Sequence, residues 1–301
     1  MENSAVIETT IDSQERSNTR LARKGFSRRQ LKEYLFIGFC GLAALFGIVV
    51  LVSILNTLIS NGISGINMMV FTEITPGPGS SGGLKNAIVG SLIMTSLGIA
   101  IAAPVGVLAG SWLAQAEKGN KLADTIRFFN VMLVSAPSIL IGLFIYALLV
   151  VPMGSYSGFA GVVALAVLAL PVIVSSTEEM LRLVPTTLKE AGAGLGAPNW
   201  VVMTKLCYRA AGPGIITAIL LSVARISGET APLLFTSLNS TFMTTDLSKP
   251  MANLPVTIYQ FAKSPYESWI DLAWAGALLI TTFILIINVI ATMMSKMTKV
   301  K

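Results

Sequence analysis

The sequence predicts an all-α integral membrane protein with six transmembrane helices, and three observations carry that expectation. Of its 301 residues, 53% are hydrophobic and only 12% charged, against about 25% charged in an ordinary soluble domain. Apolar runs of about 20 residues, the length that crosses a hydrocarbon core of about 30 Å, alternate with stretches rich in Gly, Pro and charge. Lys and Arg gather on alternate connections. The net charge of +6 therefore serves topology, since no basic face with interleaved aromatics points to nucleic acid. Cys40 and Cys207 are the two cysteines and there is no histidine, which leaves neither a disulfide framework nor a histidine-bearing metal cluster.

Residues 1–33 form a cytoplasmic N-terminal tail, polar and mixed in charge up to residue 24, where a flexible segment is expected. It lacks the short apolar core and cleavage site of a cleaved signal. Residues 34–58 are the first span, and 59–83, with the run Pro76-Gly77-Pro78-Gly79, an extracytoplasmic loop that breaks regular structure. Residues 84–294 hold five more spans. The second, 86–115, is interrupted by Pro104 and Gly106, and residues 117–130 return to charge. The third, 131–151, carries Pro137, read as a tolerated kink. A turn at 152–158 leads to the fourth, 159–175, whose Gly158-Phe159-Ala160-Gly161 suits close helix packing. A central loop, 182–212, precedes the fifth span, 213–234; a second polar loop, 235–268, precedes the sixth, 269–294; and 295–301 is a tail. No internal repeat divides the chain.

With six spans both ends share a side. That side carries 17 of the 21 Lys and Arg, the other only Lys85, Lys249 and Lys263, with Arg225 left inside a span. The positive-inside rule puts both termini and the central loop in the cytoplasm.

The central loop is the most informative stretch. Pro185 stops what precedes it, Thr187 and Glu190 fit a capping box, and a helix is expected from Leu188. Gly196 offers a left-handed C-terminal position and Pro198 follows, which limits the helix to about two turns. Leu188 and Leu195 share a face with Glu190 off it, while Ala191, Gly192, Ala193 and Gly194 keep the helix slim. A docking element fits this pattern; a connector resting on the membrane surface is the alternative.

Arg225 and Glu229, four apart, are expected on one face of the fifth span. An ionisable residue within a span is by default a functional hypothesis; a structural ion pair locking two helices is the other reading. Ser222, Ser227 and Thr230 offer hydroxyls along the same segment, and Pro232 removes a backbone donor there.

Glu190-Ala191-Gly192 followed by Gly196 is similar to the Glu-Ala-Ala-x-x-x-Gly loop of ABC importer permeases, and Gly228-Glu229-Thr230-Ala231-Pro232-Leu233 looks like the signature of the PstA family of phosphate-specific permeases. The resemblance spans residues 84–294 and includes 179–185 and 136–143. Gly192 stands where the family carries a second alanine, and Leu206-Cys207-Tyr208-Arg209 where it carries Ile-x-Leu-Pro. The resemblance implies a type I ABC importer permease core in a prokaryotic inner membrane, with Leu188, Glu190, Ala191, Leu195 and Gly196 coupling to an ATPase. It implies phosphate as substrate, with Arg225 presenting its planar fork of donors to the oxyanion, Glu229 holding or balancing it, and Ser222, Ser227 and Thr230 along the pathway. The implied partners are a PstC-like permease as heterodimer, two PstB-like ATPases that bind ATP and Mg, and a PstS-like phosphate-binding protein that meets loops 59–83 and 235–268. This chain has no Gly-x-x-x-x-Gly-Lys-Ser/Thr and is expected to bind no cofactor of its own. A permease for molybdate, sulfate or another solute is the alternative within ABC systems. A secondary carrier or channel would leave the central helix unexplained, and no nucleophile beside a base speaks for an enzyme.

Overall fold

The apolar runs fold into helices and short connections. The computed structural model describes the backbone of residues 2–117 and 119–299 and the side chains of residues 30–117 and 119–295, and among the described residues there is no strand. The chain divides into two compact units, Met1–Thr57 and Leu58–Lys301.

The first unit is helix throughout its described length. α1 runs Glu2–Gly65, so the segment expected as a flexible tail continues the helix of the first span. The chain has no proline before Pro76, and extending a helix needs no new nucleus. From residue 30 to 57 every side chain is exposed, which suits a helix apolar on all sides and surrounded by lipid.

In the second unit the last turns of α1 pack on the final helix, where a Cβ on Gly62 would lie 2.7 Å from Leu278 Cβ. There follow α2 (Met68–Thr72), α3 (Lys85–Gln115), α4 (Lys121–Ser135) and α5 (Ser138–Met153), which contains a π turn at Tyr146–Val150. α6 is Gly158–Arg182 and α7 Thr186–Gly194. α8 (Asn199–Ser227) contains a second π turn at Val202–Cys207. α9 (Ala231–Thr236), α10 (Leu254–Ala262) and α11 (Glu267–Lys299) complete the chain. Among the described residues five helices are long and apolar enough to cross a membrane, and six spans result if α4 and α5 count as one broken span.

α6 is the axis of this unit, with 14 of its 25 residues buried. Its contact with α3 is close because α3 presents Gly98, Ala102, Gly106 and Gly110 at four-residue intervals, the small-residue spacing that lets helix backbones approach. A Cβ on Gly106 would lie 2.8 Å from Ile173 Cγ2, and one on Gly110 2.6 Å from the Val174 carbonyl.

Several boundaries differ from the sequence expectation. Pro104 sits inside an unbroken α3. Pro137 does more than kink its span: α4 and α5 meet at 105°. The residue before a proline is driven from the helical region, and Ala136 and Pro137 both take extended ψ, 136° and 131°. The charged stretch expected as a loop at 117–130 is largely helical, because the Asn120 side chain accepts from Leu122 N and Ala123 N and starts α4. The fourth span continues to Arg182. The fifth begins at Asn199, passes through Pro213, and ends at Ser227 rather than residue 234. The loop after α9 contains α10, capped by Asn253 accepting from Val256 N at 2.9 Å.

Candidate functional site

Two places gather the residues singled out from sequence: α7 with its flanks, and the break between α8 and α9. α7 begins at Thr186, directly after Pro185, whose φ of −56° and ψ of 137° stop the preceding chain. The capping box does not form, since Thr187 already lies within the first turn and no side chain caps the helix. The C-terminal expectation holds in detail. Gly196 has φ +78°, Gly196 N donates to the Ala193 carbonyl and Ala197 N to the Gly192 carbonyl, the paired bonds of a Schellman motif.

Leu188 is 37% exposed and Leu195 90%; Glu190 and Ala191 are also exposed. Leu183 and Trp200, on the flanks of α7, are also exposed apolar side chains, 74% and 68%, and were not singled out from sequence. Their signal is their position, each within three residues of a helix-ending or helix-starting proline. The buried side of α7 is Gly192, which faces Val202 and Leu206 in the π turn of α8. α7 is thus attached to α6 through the chain and to α8 through packing.

At the other place the helix ends before the expected pair is complete. Arg225 is in the last turn of α8 and exposed. Gly228 terminates the helix, and Glu229 lies beyond it, its N–H donating to the Ile226 carbonyl. Four-residue spacing therefore does not put them on one helical face, and among the described ion pairs none joins Arg225 to Glu229. Ser222 and Ser227 are buried and donate their hydroxyl hydrogens to the carbonyls of Ala218 and Val223, at 2.9 and 2.7 Å. As donors to a ligand they are already engaged; their oxygens remain acceptors. Thr230 precedes α9, and its carbonyl accepts from Leu234 N. Pro232 occupies the first turn of α9, where a missing N–H costs no helical bond.

Ser227 also opens on a cavity of about 630 Å³ between α3, α8, α10 and α11, whose other hydroxyls are Ser91, Thr95 and Ser96 in a mainly apolar wall. Arg225 is not among its lining residues, so the cavity and the cation are separate features.

The model of the family described as binding-protein-dependent transport system inner membrane component matches residues 106–300. A phosphate transport system permease protein PstA from Pasteurella multocida is 52% identical over 266 residues, 88% of this chain and 95% of the relative. Another of that name from Haemophilus influenzae is 48% identical over 264 residues, 88% and 94% of the two chains. Among solved structures, the inward-facing MetNI methionine ABC transporter in its native crystal form superimposes with a TM-score of 0.60 at 20% identity, over 70% of this chain and 94% of that one. That likeness gives the fold, a type I ABC importer permease. The chain belongs to the PstA family of phosphate transport system permease proteins, multi-pass components of the membrane.

Proposed function

We propose that this chain is the membrane permease subunit of an ATP-driven phosphate importer, forms half of the translocation pathway, and couples it to a cytoplasmic ATPase. The observation that carries the reading is the 52% identity, over 95% of its length, to a protein named as a phosphate transport permease. The geometry agrees with it: α7 presents exposed Leu188 and Leu195 from a short helix with a defined end, and Arg225 is an exposed cation one turn from a helix break.

In this reading both termini and α7 face the cytoplasm, α7 seats in a PstB-like ATPase, and a PstC-like permease supplies the other half of the pathway. A PstS-like protein delivers phosphate on the opposite side. ATP and Mg are bound by the ATPase, which performs the hydrolysis. ATP-driven closure of two such subunits moves α7, and α6 and α8 move with it. The experiment is phosphate uptake in a strain lacking its own transporter, with this chain and the three candidate partners co-expressed. Uptake dependent on this chain, and unaffected by excess molybdate or sulfate, is expected; uptake of either in place of phosphate would overturn the substrate.

A further inference from the structure

Where α6 approaches α7, one carboxylate holds two guanidinium groups. Glu178 Oε1 accepts from Arg127 Nε of α4 and from Arg182 Nη2 of its own helix, each at 2.8 Å, and the Glu178 side chain is only 12% exposed. Arg127 further donates from Nη2 to the Leu113 carbonyl near the end of α3, and from Nη1 to Asp124, both at 2.9 Å. Two arginines and two carboxylates balance in charge.

The setting gives this cluster a mechanical meaning. Arg182 ends α6, and α7 starts at Thr186. α4 has only Ala123 and Asn130 buried, so apolar packing alone does not fasten it. It is held to α6 by polar contacts: Arg127 on Glu178, and Asn130 Nδ2 donating to the Pro171 carbonyl and to Ser175 Oγ. From α4 the chain turns into α5, where Gly142 meets Pro232 of α9, beside the break that carries Arg225. A concavity of about 370 Å³, lined by Arg127, Glu178 and Arg182 among others, gives the ion pairs room to rearrange.

We propose that Glu178 is a positioning residue for coupling: through Arg182 and Arg127 it passes displacement of α7 to α4, and so to α5 and α9. The inference rests on α7 being the coupling helix. It is tested on the assembled transporter in proteoliposomes, reading ATP hydrolysis with and without phosphate-loaded binding protein and the phosphate taken up per ATP. Glu178→Gln is expected to assemble and to keep its unstimulated hydrolysis, while stimulation by the binding protein and phosphate per ATP each fall by about fivefold or more, the lower end of common coupling factors. Glu178→Asp, which keeps the charge, should recover part of the loss. Arg182→Gln, on a side chain 53% exposed, should lower the same ratio, and it decides the matter if Glu178→Gln fails to assemble. A ratio equal to that of the unsubstituted complex, including one in which both rates fall together, would overturn the inference alone. An unsubstituted complex that takes up no phosphate would overturn the proposed function and this inference with it.

Discussion

Gly192 lies so close to α8 that a Cβ on it would stand 2.8 Å from Leu206 Cδ1 and 3.1 Å from Val202 Cγ2. Both partners belong to the π turn at Val202–Cys207. The glycine that departs from the family loop and the stretch that departs from its Ile-x-Leu-Pro pattern thus meet in one contact. Gly194, two residues on, has nothing within 4 Å of such a Cβ. Gly192→Val is therefore expected to cost about 1–3 kcal/mol by overpacking and to reduce recovery of the ATPase with this chain. Gly194→Ala should stabilise α7 by up to about 1 kcal/mol and leave recovery unchanged. Gly196→Val meets a left-handed φ of +78° and should weaken recovery more than Glu190→Ala, which loses no capping bond. Co-purification of the ATPase at equal membrane abundance checks all four, and equal recovery throughout would remove the docking role of α7.

Gly142 of α5 is tighter still: its Cβ would lie 2.6 Å from Pro232 Cα. A backbone atom cannot swing aside as a side-chain tip does, so α5 and α9 would have to separate. Gly142→Ala is expected to destabilise the protein by about 1–3 kcal/mol, read as a lower unfolding temperature in detergent. Gly212→Ala, inside α8 with nothing within 4 Å, serves as the comparison and should gain up to about 1 kcal/mol; a Gly142→Ala protein as stable as that control would contradict the contact.

What the sequence disclosed, and what it hid, follows from how local each signal is. Pro185 and Gly196 act on their own backbone, and the ends of α7 were legible from them within one or two residues. Proline inside an apolar run is ambiguous. Pro104 and Pro213 remain within helices while Pro137 ends one, and the outcome depends on which neighbours can accept or supply the freed bonds. The Arg225–Glu229 spacing was legible as a motif but not as a pair, because Gly228 ends α8 between them. Glu178 and Arg127, 51 residues apart in sequence, gave no local sign of their contact.

The loop after α9 offers a test by pH. The Asp246 carboxylate accepts from the Ser248 hydroxyl and from Ser248 N, and Lys249 Nζ lies 3.6 Å away. The Ser248 hydroxyl bond is the main cause, followed by the Ser248 amide, holding the Asp246 carboxyl below its ordinary 3.8. A pKa depressed by folding adds stability that is present above the unfolded value and lost as pH falls through the folded one. The turn should therefore be intact at neutral pH and loosen only below 3.8. Hydrogen exchange at the Ser248 amide, corrected for its intrinsic rate, should show protection falling in that range, and Asp246→Asn should remove the pH dependence. Protection that instead falls between pH 7 and 5 would assign the effect to another group.

The last test concerns Arg225. An ion pair with Glu229 would predict that losing one partner leaves a buried unpaired charge, costing about 3–5 kcal/mol, and that losing both restores much of the protein. The structure sets Arg225 exposed on the final turn of α8 and Glu229 past its end, with no ion pair between them among those described. Arg225→Gln is accordingly expected to reach normal membrane abundance, to lose phosphate uptake, and to gain nothing from Glu229→Gln in the same chain. Arg225→Lys keeps the charge but not the planar fork that meets an oxyanion through two hydrogen bonds, so its uptake should also fall sharply. Abundance and uptake are read separately for the two single variants and the double one. Recovery of uptake in the double variant would give Arg225 a structural role, since a substrate contact, once removed, cannot be returned by removing its neighbour.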